Sequence, residues 1–409
     1  MSDGRCRSCR SNALSPILSL GETPLANALL CADELDRAEP RFPLDAVFCA
    51  ACALFQISQT LPPDALFRDY RYLTSCSETF VAHTRALCDR LIAQEQLATD
   101  SLVVEIASND GYLLQHYVRK GIPVLGVEPA RAIAALAEAR GVRTVPEFFG
   151  PGLARDLVHE VGHADVVHAH NVLAHVPDVN GVIAGIRELL GDGGIAVIEV
   201  PYLRDMIDRV EFDTIYHEHL CYFSLTALDT LVRRHDLAII DVEQLAIHGG
   251  TLRVSLAHGT RGRQVAASVP EVLHEERRLG MDRRSYYDDF AANVDRYRTG
   301  LRSIVNELKA DDCRIAGYGA SAKGTTLLHY CGIGAETLDF IVDRNPLKQG
   351  RFTPGSHIPI YGPDRLIQDQ PDYALLLVWN LADEVLRQQS EYRGRGGRFI
   401  VPALSTTIV

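Results

Sequence analysis

Residues 102–128, LVVEIASNDGYLLQHYVRKGIPVLGVE, decide how the rest of the chain is read. The apolar run 102–107 (LVVEIA) has the length of a buried strand and ends at a turn, SNDG. A helix is expected over 112–119 and a second strand over 123–128 (PVLGVE), followed by an Ala-rich helix to 139. Strand, helix and strand in this order form a βαβ unit with parallel strands. The rhythm continues, with strands expected at 165–170 and 195–200 and a helix over 181–190 between them. Residues 237–244 and 252–257 read as two strands joined through His248-Gly249-Gly250, close enough to pair as a hairpin. The fold class is therefore α/β, built on a doubly wound parallel sheet.

In open sheets of this kind ligands bind beyond the carboxyl ends of the strands. Residues 211–224, EFDTIYHEHLCYFS, follow the run 195–200 (IAVIEV), which is preceded by the turn GDGG and closed by Pro201. Two histidines, two tyrosines and several carboxylates crowd this stretch, and proton chemistry is the functional reading. His217 and His219 lack the HExxH spacing of helical zinc sites. Earlier in the sheet, Gly111 lets the backbone come close to a cofactor, and Asn109 and Asp110 offer polar contacts. Glu128 ends the second strand, where a carboxylate grips the hydroxyls of a ribose. The two acids at the ends of consecutive strands point to an adenosyl cofactor.

The chain has 409 residues, 47% hydrophobic and 23% charged, with a net charge of -12. This length suits two or three globular domains. The negative charge argues against a nucleic-acid partner, which Lys and Arg would have to hold. The start, MSDGRCRSCR, lacks the apolar core of a signal peptide, and no run approaches a membrane span. A cytoplasmic protein is expected, whose ten cysteines suggest metal or incidental thiols more than disulfides. Cys6, Cys9, Cys49 and Cys52 form two CxxC pairs suited to tetrahedral structural zinc with no open position. Residues 62–77, PPDALFRDYRYLTSCS, read as an aromatic connector in which Tyr70 and Tyr72 could line a pocket. A helix is expected over 79–96.

Residues 269–309 read as a charged helical bridge, and a second strand and helix series starts at 314 with RIAGYGASAKG. Gly317, Gly319 and Ala322 satisfy GxGxxA, with Asp343 after the next strand. Alone, that turn suggests an NAD-dependent oxidoreductase, which is the alternative reading. Lys323 stands near a helix N-terminus, where phosphate is favoured.

Taken together, the four cysteines, VVEIASNDGYLL, GVEPA, NVLAHVPD, EFDTIYHEHLCYFS, HGGTLRV, GYGASAKG, VDRNPLKQGRFTPG and LLLVWNLADE resemble the sugar C-methyltransferases of deoxysugar and antibiotic biosynthesis. The resemblance spans essentially the whole chain. It implies a zinc-binding domain (1–75), a class I S-adenosylmethionine-dependent core finished by a hairpin (76–300), and a Rossmann-like C-terminal domain that helps hold a sugar nucleotide (301–409). Glu105, Ala107, Asn109, Gly111, Glu128 and Asn171 then fall around the methyl donor, and Ala107 departs from the Gly usual there. Tyr72, His175, Tyr216, Glu218 and His219 match active-site positions, while His248, Lys323 and Asp343 are assigned to substrate. The implied reaction methylates a carbon, most often carbon 3, of a nucleotide-linked 4-keto-6-deoxyhexose. His219 is the expected base, Glu218 its orienting group or a holder of a sugar hydroxyl, and Tyr216 and His175 the donors to an enolate oxygen. A monomer is expected.

Overall fold

The computed structural model describes residues 4–67, 73–259 and 263–409, with the backbone alone for Ala65, Phe67 and His248. Tyr70 and Tyr72 lie outside the described residues.

The central sheet has seven strands. Val103–Ile106 pairs in parallel with Val124–Val127 on one side and with Ala164–His170 on the other. Thr144–Val145 extends one edge, and Leu190–Pro201 follows Ala164–His170. Strand order thus reverses at Val103–Ile106, and the crevice at its carboxyl end is the ligand position of such a sheet. Val103–Ile106 is buried along its whole length, because helices cover both faces and no alternation of polar residues is needed. Thr251–His258 inserts antiparallel between Leu190–Pro201 and Leu237–Leu245, so the expected hairpin closes the sheet.

Several elements depart from the sequence reading. The helix expected over 112–119 is only Leu114–Val118. GDGG does not precede its strand but interrupts it: Ala164 pairs with Leu190 and Val166 with Ile195, leaving 191–194 out of register. At Gly194 a Cβ would lie 2.7 Å from the Ala164 carbonyl, so only glycine fits the bulge. The bridge 269–309 is two helices, Ser268–Leu279 and Phe290–Ala310. The second buries Phe290, Val294, Tyr297, Leu301 and Val305, one stripe of its surface. Phe290 meets Phe55 at 6.4 Å and Tyr297 meets Phe212 at 5.1 Å between ring centres, so this helix joins the N-terminal sheet to the site segment.

The N-terminal sheet, with strands Leu14–Pro24, Arg41–Cys49 and Phe55–Ile57, takes its fourth strand from Cys221–Tyr222. The C-terminal sheet has six strands, parallel except for the last, with Ile315–Tyr318 between Ile341–Val342 and Tyr373–Leu376. Among the described residues no helix is long and apolar enough to cross a membrane.

Candidate active site

A cavity of about 520 Å³ opens where the central sheet, the N-terminal loop around Asn27 and the C-terminal sheet meet. Its walls include Ala107, Asn109, Glu128, Asn171, His175, Tyr216, His219 and Lys323, which brings together most of the residues singled out above. Glu105, Gly111, Glu218 and Asp343 stand behind the wall. The side chain of His248 and the whole of Tyr72 are outside what is described.

One end is built from strand termini. Just beyond Val103–Ile106, Ala107 (φ 53°) and Asn109 (φ 48°) take left-handed backbone conformations, and Asn171 (φ 55°) does so after Ala164–His170. Such conformations strain residues with a Cβ and gather at ligand sites. Glu128 holds the turn, its Oε2 accepting from Asn109 N at 3.0 Å and its Oε1 from Ala130 N at 2.8 Å. Each oxygen keeps further acceptor capacity for a hydroxyl pair. Burial, offset by those two N–H groups, raises the Glu128 carboxyl to about 6. Thr74 N donates to Asn109 Oδ1 at 3.0 Å, fixing the amide. Phe80 stacks on Tyr112 at 5.3 Å along the same wall. A buried carboxylate acceptor, strained backbone brought to the surface of the crevice and an aromatic lining fit an adenosyl sulfonium donor.

Gly111 serves that end indirectly. A Cβ there would sit 3.1 Å from Val142 and 3.3 Å from Ala137, so the residue packs the turn against the helix Arg131–Ala139. Glu105 is fully buried, and desolvation drives its carboxyl well above the usual range.

The other end belongs to residues 211–224. His219 Nδ1 lies 2.9 Å from the Thr214 carbonyl, an acceptor, so this nitrogen carries the proton. Nε2 is then the acceptor for the Tyr216 hydroxyl at 2.7 Å. Burial, then the neighbouring His175 and Lys323, push the imidazole well below its ordinary range and keep it neutral. His175 meets it edge-on at 4.6 Å, itself lowered to about 4 by burial. Glu218 accepts from Asn27 Nδ2 at 2.8 Å on both oxygens, and burial raises it to about 7. His217 turns the opposite way, its Nε2 3.1 Å from the Pro43 carbonyl. The two histidines of HEH therefore do not converge on a metal.

The third wall comes from the C-terminal sheet. Lys323, on the helix Ala322–Cys331, reaches the cavity and lies 4.6 Å from the centre of the Trp379 ring. Trp379 Nε1 donates to Asp213 Oδ2 at 2.6 Å. Burial raises Asp213 to about 6 and Glu211 to about 8, in both cases against the charge of Lys323. Asp343 accepts from Ala320 N at 2.8 Å and Asn345 N at 2.8 Å, so it closes the glycine turn and does not reach the cavity. A Cβ at Gly319 would lie 2.5 Å from Val378, which fills the space in front of that turn. The oxidoreductase reading loses its ribose-binding acid and its cradle.

Asn27, Glu211, Asp213, Trp379 and Lys348 were not singled out from sequence. Glu211 and Asp213 stood inside the quoted stretch, and Trp379 is the chain's single tryptophan. Asn27 carries no local signal, because only the folded chain brings it to Glu218, 191 residues away.

The thiols of Cys6, Cys9, Cys49 and Cys52 all lie within 4.8 Å of one another, with Cys6–Cys52 and Cys9–Cys49 sulfur separations of 3.5 and 3.6 Å. Tetrahedral zinc with Zn–S of about 2.3 Å has an edge of about 3.8 Å, so the four sulfurs already stand at ligand spacing.

The strand order, the strand-end donor crevice and the four-thiol cluster define a zinc-binding, S-adenosylmethionine-dependent methyltransferase. Three family models match in succession: "Putative zinc binding domain" over residues 6–67, "Methyltransferase domain" over 80–242 and "C-methyltransferase C-terminal domain" over 246–403. The chain is 39% identical over 397 residues to C-methyltransferase NovU from Streptomyces niveus, covering 97% of this chain and 94% of that protein. It belongs to this family of C-methyltransferases. A ubiquinone biosynthesis O-methyltransferase from Burkholderia pseudomallei is 22% identical over 39% of this chain and 73% of its own length. A solved S-adenosylmethionine-dependent methyltransferase from Clostridium acetobutylicum aligns with a TM-score of 0.35 and 11% identity, over 43% of this chain and 90% of that one.

Proposed function

We propose that the protein methylates a carbon next to the ketone of a nucleotide-linked 4-keto-6-deoxyhexose, at carbon 3, in deoxysugar and antibiotic biosynthesis. The observation that carries this reading is the Tyr216–His219 pair, set with a neutral imidazole in the same cavity as the strand-end donor crevice. A carbon acid must lose a proton before it can form a bond to carbon, and a neutral histidine is suited to take it. His219 faces Tyr216, so the proton reaches it through the hydroxyl: Tyr216 takes the α-hydrogen as its own proton passes to Nε2. Thr214 holds the ring in the tautomer this needs. Glu218, steadied by Asn27, stands behind the pair. S-adenosylmethionine, when bound, supplies an electrophilic methyl group, and the chain's part is alignment and exclusion of water.

On this reading residues 1–75, 76–300 and 301–409 act as zinc, donor and sugar-nucleotide units of a cytoplasmic monomer that binds neither nucleic acid nor membrane. The test is exchange of the hydrogen alpha to the ketone with deuterated water, across a panel of 4-keto-6-deoxy sugar nucleotides. The wild type should exchange one of them, while His219→Asn and Tyr216→Phe lose about two to four orders of magnitude in rate and retain donor binding by calorimetry. Normal exchange in both variants would place the base elsewhere.

A further inference from the structure

Abstraction of the α-hydrogen leaves a negative charge on the ketone oxygen, and the Tyr216 hydroxyl already donates to His219. We propose that the Lys323 ammonium is the oxyanion site of this enzyme and receives the enolate oxygen. This inference rests on the keto-sugar reading above.

Among the described residues two lysines line the cavity, Lys323 and Lys348. Lys348 is engaged within the protein, donating to the Ala320 carbonyl at 2.7 Å and lying 3.8 Å from Asp343. The partners of Lys323 among the described residues are the face of Trp379 and, at longer range, the charges of Asp213 and Glu211. Among the described residues neither carboxylate comes within the 4.0 Å of an ion pair, and none accepts from its N–H groups. Lys323 is half-buried, and an ammonium has three donors; those that the protein does not take are open to whatever occupies the cavity. Lys323 and His219 share the cavity wall, and the charge of the lysine is felt at the imidazole.

The surroundings select for the kind of anion. Asp213 is locked by Trp379 and its charge acts on Lys323, so where it is ionised it opposes a phosphate dianion there. A ketone arrives uncharged and acquires its single charge only as the reaction proceeds. A donor fixed in advance at the point where charge develops is the arrangement that stabilises a transition state more than a ground state.

The electrons balance as follows. The C–H pair becomes the carbon–carbon double bond of the enolate as the carbonyl π pair moves to oxygen, where the Lys323 N–H groups receive it. The proton goes to the Tyr216–His219 pair. When the carbon takes the methyl group, the oxygen pair re-forms the carbonyl and the C–S pair leaves on sulfur.

The experiment compares wild type with Lys323→Met and Lys323→Arg on the 4-keto-6-deoxy sugar nucleotide that the wild type exchanges most rapidly. S-adenosylhomocysteine is present so that exchange is read without methyl transfer, and calorimetry measures affinity for the same compound. Loss of an oxyanion donor is expected to slow exchange about 10²–10³-fold in Lys323→Met, with sugar-nucleotide affinity within a few-fold of wild type and partial recovery in Lys323→Arg. Unchanged exchange at saturation with affinity reduced tenfold or more would make Lys323 a phosphate holder and overturn the proposal. Wild type that exchanges no keto sugar overturns the substrate reading and Lys323 with it, a result separate from an active wild type matched by an active Lys323→Met. A melting curve for each variant identifies loss of fold, and a folded Lys323→Met with normal exchange also overturns the proposal.

Discussion

Glu211 shows how a residue's chemistry can be set by where the chain closes over it. Burial raises its carboxyl from the ordinary glutamate range to about 8, with Lys323 opposing and Asp213 adding to the rise. A carboxyl raised in the folded state contributes stability that is fully present below its unfolded pKa and is lost as pH rises through the folded one. Between pH 4.5 and 8, wild type should therefore lose stability relative to Glu211→Gln, by on the order of a few kcal/mol. Urea melts of both proteins at pH 5 and pH 9 check this, and parallel pH dependence would contradict it. At this scale the sequence was informative about residue types and poor about directions. HEH announced two histidines, but only backbone geometry turns His219 toward Thr214 and Tyr216 and His217 toward Pro43. Ala107 likewise holds a left-handed φ, a conformation that glycine adopts with less strain.

Among the elements, the turn at 246–250 connects hairpin and site. It has Gly249 at φ 92° and Gly250 at φ 122°, and packs against Glu211, Asp205 and Trp379. A Cβ at Gly250 would lie 2.1 Å from an Asp205 oxygen, and one at Gly249 within 2.9 Å of both the Glu211 carboxylate and Trp379. Gly250→Ala combines an unfavourable φ with a clash, so a loss of about 1–3 kcal/mol is expected, read by denaturant melts; an unchanged midpoint would contradict the packing described. The strands of the central sheet were legible because runs such as 103–106 and 195–200 are mostly apolar, each broken by one glutamate, and are buried on both faces. Cys221–Tyr222 was not, because two residues carry no periodicity and their partners, Phe55 and Gln56, lie far away in sequence.

Across the whole molecule, the zinc-binding unit helps to build the site. Arg7, between the first two thiols, donates to the Gln59 carbonyl at 2.6 Å and to Gln56 Oε1 at 3.1 Å, and its guanidinium also reaches the carbonyls of Ile57 and Leu220. Asn27 of the same region holds Glu218, and Thr325 of the C-terminal sheet's helix donates to the Ala26 carbonyl at 3.0 Å. Elemental analysis should find about one zinc per chain, because four thiolates fill one tetrahedral site. Cys6→Ser should cost on the order of several kcal/mol, since metal binding is folding free energy in such units, and turnover should fall with it as Glu218 loses its support. Folded, zinc-free protein with an unchanged melt would contradict this. The two CxxC pairs made the metal site readable from sequence, whereas the meeting of the central sheet, the Asn27 loop and the C-terminal sheet around one cavity depends on contacts between residues far apart in the chain.

The most direct measurement of the central claim follows a carbon-13 methyl group from labelled S-adenosylmethionine into a 4-keto-6-deoxy sugar nucleotide, read by NMR of the product. The account predicts that the label becomes bonded to ring carbon 3 with loss of that carbon's hydrogen, and that His219→Asn forms almost none of this product. A label that arrives on oxygen or nitrogen, or reaches carbon equally well in His219→Asn, would contradict it.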